Sequence, residues 1–241
     1  KVRNLSFHVR AGEILGIGGV EGNGQTELLN LLIGMQDLSG GTIELYGTDI
    51  TGMGTKRRRE TGLAYISDDR MTTGLSLDSD LQENLICGCE SKAPFSRWGI
   101  LRKRAIDQYA DEMMEKFDIR GLHPGKPVRS LSGGNMQKIV LAREINRNPK
   151  VLIAAQPTRG LDIGAINFVR QQLLEQKRAG TAVILVSADL EELMSLSDRL
   201  IILYEGGCVG EITEPDKVSE EEIGLLMGGI QRDRRKGGEA V

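Results

Sequence analysis

Residues 13–33 constrain the fold of this chain more than any other stretch. The apolar residues 13–18 predict a buried strand, the next eight are glycine-rich, and residues 27–33 have helical spacing. Glycines between a strand and a helix N-terminus leave backbone N–H groups free, and the helix dipole there favours negative charge. The order therefore predicts a phosphate-binding loop in an α/β fold, and a strand–helix turn without a ligand is the plainer alternative.

The loop follows the phosphate-binding pattern G-x-x-x-x-G-K-[ST] with one departure. Gly19 and Gly24 hold the glycine positions and Thr26 holds the position of the magnesium ligand, but Gln25 stands where the lysine is expected. Because a neutral amide makes a weaker bond to phosphate than an ammonium group does, we expect reduced phosphate affinity and a larger loss of transition-state stabilisation. The loop residues predicted to contact nucleotide are Gly19, Glu21, Gly22, Asn23, Gly24, Gln25, Thr26 and Glu27.

A second glycine turn, Leu131-Ser132-Gly133-Gly134-Asn135, precedes the apolar-patterned residues 139–145. These residues predict a helix whose N-terminus is surrounded by free amides, and Ser132 adds a hydroxyl donor. We expect this anion site to serve a neighbouring molecule rather than the chain itself. A glycine turn that merely caps a helix is the alternative interpretation.

The remaining pattern predicts repeated strand–helix units, and hence a mostly parallel sheet covered on both faces. We expect one domain over residues 1–241, with a core of residues 1–76 and 129–230, an inserted helical lobe at 77–128 and a flexible tail at 231–241. The predicted strands are 5–9, 42–46 (an antiparallel piece), 63–66, 151–156, 182–186 and a closing hairpin of 200–204 with 208–212. The predicted helices include 81–85, 100–117, 165–176 and 190–196, and the basic run 56–59 is expected to be a solvated helix start.

Composition excludes several classes of function. A net charge of -3 gives no reason to expect nucleic acid as a partner, and no apolar run is long enough to span a bilayer. Cys87, Cys89 and Cys208 are an odd set without zinc spacing, which fits a reducing compartment best. Cys87 and Cys89 are expected to be small apolar fillers, with metal binding by that pair as the alternative. His8 and His123 are expected to be ordinary surface or loop residues, which leaves histidine catalysis poorly supplied.

The joint order of phosphate loop, helical lobe, Leu-Ser-Gly-Gly turn and the apolar strand before Gly160-Leu161-Asp162 resembles the nucleotide-binding domain of ATP-binding-cassette (ABC) transporters over nearly the whole chain. Residues 131–138 look like the signature motif of that family and Asp162 like the aspartate of its D-loop. Residues 20–27 and 157–162 are similar, more narrowly, to the second, C-terminal cassette of simple-sugar and nucleoside importer ATPases.

The resemblance implies a P-loop NTPase cassette that binds ATP and Mg²⁺, with Thr26 as the possible magnesium ligand. It implies a partner cassette, fused in the full-length protein, and permease subunits that hold the assembly at the cytoplasmic side of the cell membrane. The chain begins close to its first strand, so we expect an excised half that is a monomer alone. The position of the family's Q-loop glutamine falls near Asp68 in this chain. Asp68 is therefore expected to line the γ-phosphate region together with Gln156.

Several positions depart from the family. Ala155 and Gln156 replace the aspartate and catalytic glutamate, and Ala188 replaces the switch histidine. A glutamine is a far poorer base than a carboxylate, so no catalytic residue is assigned. The hypothesis is a degenerate site whose cassette donates its signature to a partner; the alternatives are an active ABC ATPase and a soluble ABC-type regulator. For Arg70, a carboxylate pair, a partner contact and a surface ion pair all stay open.

Overall fold

A computed structural model describes residues 2–121 and 125–230. His123 and the predicted tail at 231–241 therefore lie outside the described residues. None of the helices in those two ranges is both long and apolar enough to cross a bilayer.

A six-stranded sheet forms the centre of the molecule. Its strand order is β10-β9-β1-β8-β7-β4, and every neighbouring pair is parallel except β9 with β10, so the predicted mostly parallel sheet is confirmed. Two small antiparallel hairpins, β2 with β3 and β5 with β6, lie outside it. The strands are β1 Ile14–Gly18, β2 Glu44–Leu45, β3 Thr48–Asp49, β4 Leu63–Ile66, β5 Ser96–Arg97, β6 Ile100–Leu101, β7 Val151–Ala155, β8 Ala182–Ser187, β9 Arg199–Tyr204 and β10 Gly207–Ile212.

Eight α-helices surround the sheet in the described residues. They are α1 Gln25–Ile33, α2 Thr55–Glu60, α3 Leu81–Ile86, α4 Lys103–Lys116, α5 Gly133–Ile145, α6 Ile163–Arg178, α7 Leu190–Leu196 and α8 Glu220–Met227. A π-helical turn covers Arg70–Gly74, and 3₁₀ turns cover Val128–Ser130 and Pro215–Lys217. Most of these helices fall where the apolar spacing predicted them, whereas α8 was not predicted.

Two apolar clusters pack on opposite faces of the sheet, because successive side chains of each strand point to alternate faces. In β1, Ile14 belongs to the cluster that contains α5, whereas Leu15 and Ile17 belong to the cluster that contains α1. The α5 cluster extends into the predicted lobe through buried residues of α3 and α4, such as Leu85 and Met113. The lobe therefore shares its apolar core with the signature helix, and its boundaries remain a prediction.

Three local predictions are wrong. Residues 5–9 alternate in burial but form no strand, because their backbone pairs with no strand of the sheets. Ile100 and Leu101 form strand β6 rather than the first turn of a helix, which begins at Lys103. Arg58, in the basic run expected to be solvated, is only 1% exposed. Its guanidinium donates to the carbonyls of Leu31, Leu32, Thr51 and Met53 at 2.6–2.8 Å, which satisfies carbonyls in the last turn of α1 and in the loop before α2.

Candidate functional site: two nucleotide-facing surfaces

The phosphate loop lies at the carboxyl edge of the sheet, between β1 and α1. Gly24, which has no side chain that could cap the helix, precedes α1 with a φ of 105°. Gly22 has a φ of 92°, and a Cβ added there would find open space on all sides. The hydrogen bond between the N–H of Glu27 and its own carboxylate lowers the pKa of Glu27. Backbone amides at an uncapped helix N-terminus form a cradle that suits phosphate oxygens.

Two loop side chains are used within the fold. The Oδ1 atom of Asn23 accepts the N–H of Glu205 at 3.1 Å, and the Asn23 carbonyl accepts the N–H of Gly206 at 3.0 Å, so Asn23 ties the loop to the β9–β10 turn. The amide of Gln25 folds back and donates to the Val20 carbonyl at 3.1 Å. Gln25 therefore braces its own loop, and phosphate contacts from this stretch fall mainly to the backbone.

The end of β7 holds no carboxylate. Since β1, β8 and β7 are adjacent and parallel, Gln156 and Ala188 emerge beside the phosphate loop at one edge of the sheet. Gln156 has a φ of 44°, and its Oε1 atom accepts the N–H of Ala188 at 3.3 Å. That bond uses one of the two lone pairs of the amide oxygen and ties Gln156 to the end of β8. We call residues 19–27, Gln156 and Ala188 the own-site surface.

The residues fit nucleotide phosphates but do not fit magnesium. The Thr26 hydroxyl, exposed in the first turn of α1, is the one family ligand that this surface offers. Ala155 has no donor atom, and the oxygen of Gln156 is engaged with Ala188. No group of three or more His, Cys, Asp or Glu among residues 2–121 and 125–230 is placed to hold a metal ion. The backbone amides of the loop are therefore better suited to bind phosphate than the side chains of this surface are to bind a metal ion.

Asp68 is exposed and accepts a 3.3 Å hydrogen bond from the Ser67 hydroxyl. Its neighbour Asp69, which the sequence analysis did not single out, accepts the N–H groups of Met71 and Thr72 at 2.9 Å and caps the π-helical turn. The Asx pattern at the start of that turn was the available signal.

Arg70 forms no ion pair with another described residue, so a carboxylate pair within the chain is not observed, and a contact with a partner stays a prediction. Its Nη1 atom donates to the carbonyl of Arg159 at 2.9 Å and its Nη2 atom to that of Gly160 at 3.4 Å. A Cβ added to Gly133 would lie 2.9 Å from Nη2 of Arg70. Arg70 thus joins the start of α5 to the loop that leads to Asp162.

The signature residues form a self-consistent helix start. Ser132 precedes α5, and its Oγ atom accepts from the N–H of Asn135 at 3.4 Å and from Nδ2 of Asn135 at 3.1 Å. The Oδ1 atom of Asn135 in turn accepts the N–H of Arg120 at 2.8 Å. Leu131 is buried and anchors the turn in the core. The Ser132 hydroxyl is therefore held by Asn135, and the Asn135 side chain is held by both Ser132 and Arg120.

The structure brings the predicted signature and D-loop together. Asp162 caps α6, and its Oδ1 atom accepts the N–H of Ala165 at 2.9 Å. An open cavity of about 350 Å³ is lined by Ser132, Asn135 and Asp162 among others. A Cβ on Gly134 would lie 3.0 Å from the Cβ of Ala165, so only glycine lets α5 and α6 approach this closely. We call Ser132, Gly134, Asn135 and Asp162 the signature surface; the cavity lining includes no residue of the phosphate loop.

The sequence matches the family model described as "ABC transporter" over residues 2–159. The chain belongs to the ABC transporter family. It is 45% identical to the guanosine import ATP-binding protein NupO of Bacillus subtilis over 95% of this chain and 44% of that protein. It is 41% identical to the nucleoside import ATP-binding protein NupA of Lactococcus lactis over 95% of this chain and 45% of that protein. The chain therefore spans less than half the length of these curated relatives.

Solved structures show the same fold. A dimeric ATP-binding cassette, MJ0796, bound to ADP and Pi in a post-hydrolysis state superposes with a TM-score of 0.74 and 22% identity, over 88% of this chain and 90% of that one. A nucleotide-free cassette from an ABC transporter gives a TM-score of 0.75 at 22% identity, over 94% of this chain and 88% of that one. The predicted ABC cassette fold is thereby confirmed.

Proposed function

We propose that this chain is the degenerate second cassette of a double-cassette import ATPase. It holds nucleotide without efficient hydrolysis and donates its signature to the competent site of a partner cassette. The end of β7 carries the proposal: Ala155 has no ligand atom, and the amide oxygen of Gln156 is bonded to Ala188. A site without a carboxylate there lacks both a magnesium ligand and a general base.

The signature surface supports the second half of the proposal. Ser132, Asn135 and Asp162 are ordered by hydrogen bonds and line one open cavity, away from the phosphate loop of the same chain. Ile163, the first residue of α6, is 79% exposed beside Asp162, which leaves an apolar side chain available to a neighbour. Groups that are preorganised but face away from the chain's own site suit action on a partner's nucleotide.

The names of the similar proteins support a proposal for the transported solute and for the place where the chain acts. The proteins matched over nearly all of this chain are ATP-binding proteins for guanosine, nucleoside, glucose and ribose import. We propose nucleosides or simple sugars as the cargo, permease subunits as the membrane partners and the cytoplasmic side of the cell membrane as the location. The chain's length relative to these proteins supports a partner cassette fused to it in the full-length protein.

Calorimetric titration of ATP and ADP into the isolated chain, with and without Mg²⁺, tests the own-site half of the proposal. Because the cradle is made of backbone amides and magnesium has one ligand, we expect micromolar binding that changes little when Mg²⁺ is removed. Steady-state phosphate release from the same sample should stay at the background rate. Hydrolysis that requires Mg²⁺ would contradict the proposal and favour an active ATPase, whereas absence of binding would leave signature donation alone.

A further inference from the structure

A β-hairpin in the helical lobe places a tryptophan where the backbone disfavours one. Strands β5 and β6 pair Arg97 with Ile100, and Trp98 and Gly99 form the two-residue turn between them. Both turn residues have positive φ, 59° and 78°. Such turns favour Asn, Asp or Gly at the first position, and a bulky side chain there is a strained choice. Strain of this kind persists where it serves a function.

The tip of the hairpin is apolar and exposed, although its base is firmly held. Trp98, Ile100 and Leu101 are 88%, 72% and 55% exposed. Phe95, in contrast, is buried against Ile86 and Ile106 and makes an edge-to-face contact with the Tyr109 ring at 4.9 Å between centroids. The base of the hairpin is thus packed in the lobe, whereas Trp98, Ile100 and Leu101 remain largely exposed.

The segment around the tip carries charge of one sign. Residues 91–106 contain five cations and no Asp or Glu. All five are exposed, and none forms an ion pair with another residue in the described parts of the chain. They are Lys92, Arg97, Arg102, Lys103 and Arg104.

Three of these cations also weaken the helix that follows. Arg102 precedes α4 without a capping hydrogen bond from its side chain, and the first turn, which contains Lys103 and Arg104, holds no acidic residue. Positive charge at a helix N-terminus opposes the helix dipole. Local rules are thus broken twice within a few residues, at Trp98 and at the start of α4, and such concentrations of unfavourable choices are expected at functional sites.

We propose that this hairpin docks on the anionic lipid headgroups of a membrane. Tryptophan is favoured at the headgroup level because its ring is apolar with a polar N–H, and neighbouring Lys and Arg are attracted to anionic lipids. A bilayer surface that contains anionic lipids is negative throughout, so it matches a segment of uniformly positive charge better than a protein surface of mixed charge does. The proposal goes beyond nucleotide binding and requires neither a partner cassette nor a permease.

Tryptophan fluorescence tests the proposal directly, because Trp98 is the only tryptophan of the chain. The protein is titrated with vesicles of equimolar phosphatidylglycerol and phosphatidylcholine, and with vesicles of phosphatidylcholine alone. We expect a blue shift of the emission, with protection from an aqueous quencher, for the anionic vesicles only. High salt should reverse the shift, because it screens the attraction.

Two matched triple variants test whether the cations beside the hairpin are the ones that attract anionic lipid. Replacement of Arg102, Lys103 and Arg104 by Gln should weaken vesicle partitioning about 100-fold, at about fivefold for each cation removed. These changes relieve the helix N-terminus, so they do not threaten folding. Replacement of the exposed cations Lys56, Arg57 and Arg178 by Gln changes the net charge equally and should leave partitioning within twofold of the parent.

Three outcomes would overturn the proposal. One is an emission spectrum that does not change with anionic vesicles. Another is an equal loss of partitioning in both triple variants, which would mean that the whole charge of the protein, not the hairpin, is attracted. The third is a blue shift seen only with permease in neutral lipid discs, which would assign the hairpin to a protein partner. None of these results depends on nucleotide binding, so failure here is distinct from failure of the proposed function.

Discussion

The own-site surface and the signature surface differ in what their polar groups do. At the signature surface, Ser132, Asn135 and Asp162 are each fixed by a hydrogen bond and still line an open cavity. At the own-site surface, Gln25 and Gln156 are turned inward, onto the Val20 carbonyl and the Ala188 N–H. The polar side chains of the signature surface thus remain accessible at a cavity, whereas Gln25 and Gln156 of the own-site surface bond within the chain. The proposal that the own site is degenerate therefore concerns the side chains of Gln25 and Gln156 and not the backbone of the loop.

The largest expected effect comes from Ser132→Arg on the signature surface. In the complete two-cassette assembly with its permease, we expect ATPase activity to fall about 10²–10³-fold, the range that follows loss of one preorganised donor to developing charge. The arginine would fill the cavity beside Asp162 and remove the hydroxyl that Asn135 contacts. Phosphate release at saturating ATP measures the effect.

Gln156→Ala in the same assembly is the matched control on the own-site surface. Because Gln156 bonds within its own chain, its loss should change the assembly's ATPase rate by less than twofold. Thermal unfolding of both variants shows whether they are folded, since loss of the cap at Ser132 costs about 1 kcal/mol on its own. If Gln156→Ala were the more damaging change, the assignment of roles to the two surfaces would be reversed.

Much of this arrangement was predictable from the sequence, because apolar strands and glycine loops are local signals. Strand β4 and helix α7 have the predicted bounds, and the signature turn starts α5 as expected. Helix α8 was missed although Ser219 and Glu222 form the Ser-x-x-Glu pattern of a capped helix, and Ser219 does accept the N–H of Glu222.

What the sequence could not supply were contacts between residues far apart in the chain. Burial of Arg58 depends on carbonyls from two separate segments, and the Arg70 contact to Gly160 spans 90 positions. In the sequence, Ile100 fits helical spacing as well as strand alternation. The hairpin is seen only in the folded backbone, where Trp98 and Gly99 have positive φ. The inward bonds of Gln25 and Gln156 likewise required the folded backbone.

A smaller effect is expected from Gln25→Lys on the own-site surface. The ammonium group restores a charge-assisted bond to phosphate, which is about twice as strong as the neutral one, so ATP should bind the isolated chain about fivefold to tenfold more tightly. Calorimetry measures the Kd, and Gln36→Lys, which adds the same charge at an exposed position outside the loop, is the control. Equal affinity in parent and Gln25→Lys would mean that the cradle does not hold the β- and γ-phosphates.

The two surfaces also differ in the buried carboxyl groups beneath them. Glu144, on the signature helix α5, is fully buried and is paired with Arg59 and Arg143 at 2.8 Å. Burial alone would raise its pKa, but the two guanidinium charges outweigh burial and lower the pKa of Glu144. Glu192, on α7, is buried as fully, and its oxygens have no well-formed hydrogen bond with a described residue, although the side chains of Ser187 and Thr158 are near enough to act on it weakly.

The smallest effect is expected from Glu192→Gln. This variant tests whether the buried carboxyl of Glu192 lowers the stability of the fold. Burial raises the pKa of Glu192 from its ordinary 4.5, against weaker opposing influences from Ser187 and Thr158. The folded protein therefore holds this proton more tightly than the unfolded chain does, so its stability decreases as pH rises from 4.5 toward the raised value. The variant cannot ionise there, so its unfolding temperature should match that of the parent at pH 4.5 and exceed it increasingly toward neutral pH. Glu191→Gln, at an exposed neighbouring position, should show no such divergence. Parallel curves for Glu192→Gln and the parent would mean that Glu192 finds a partner in solution and that the two surfaces rest on equally satisfied supports.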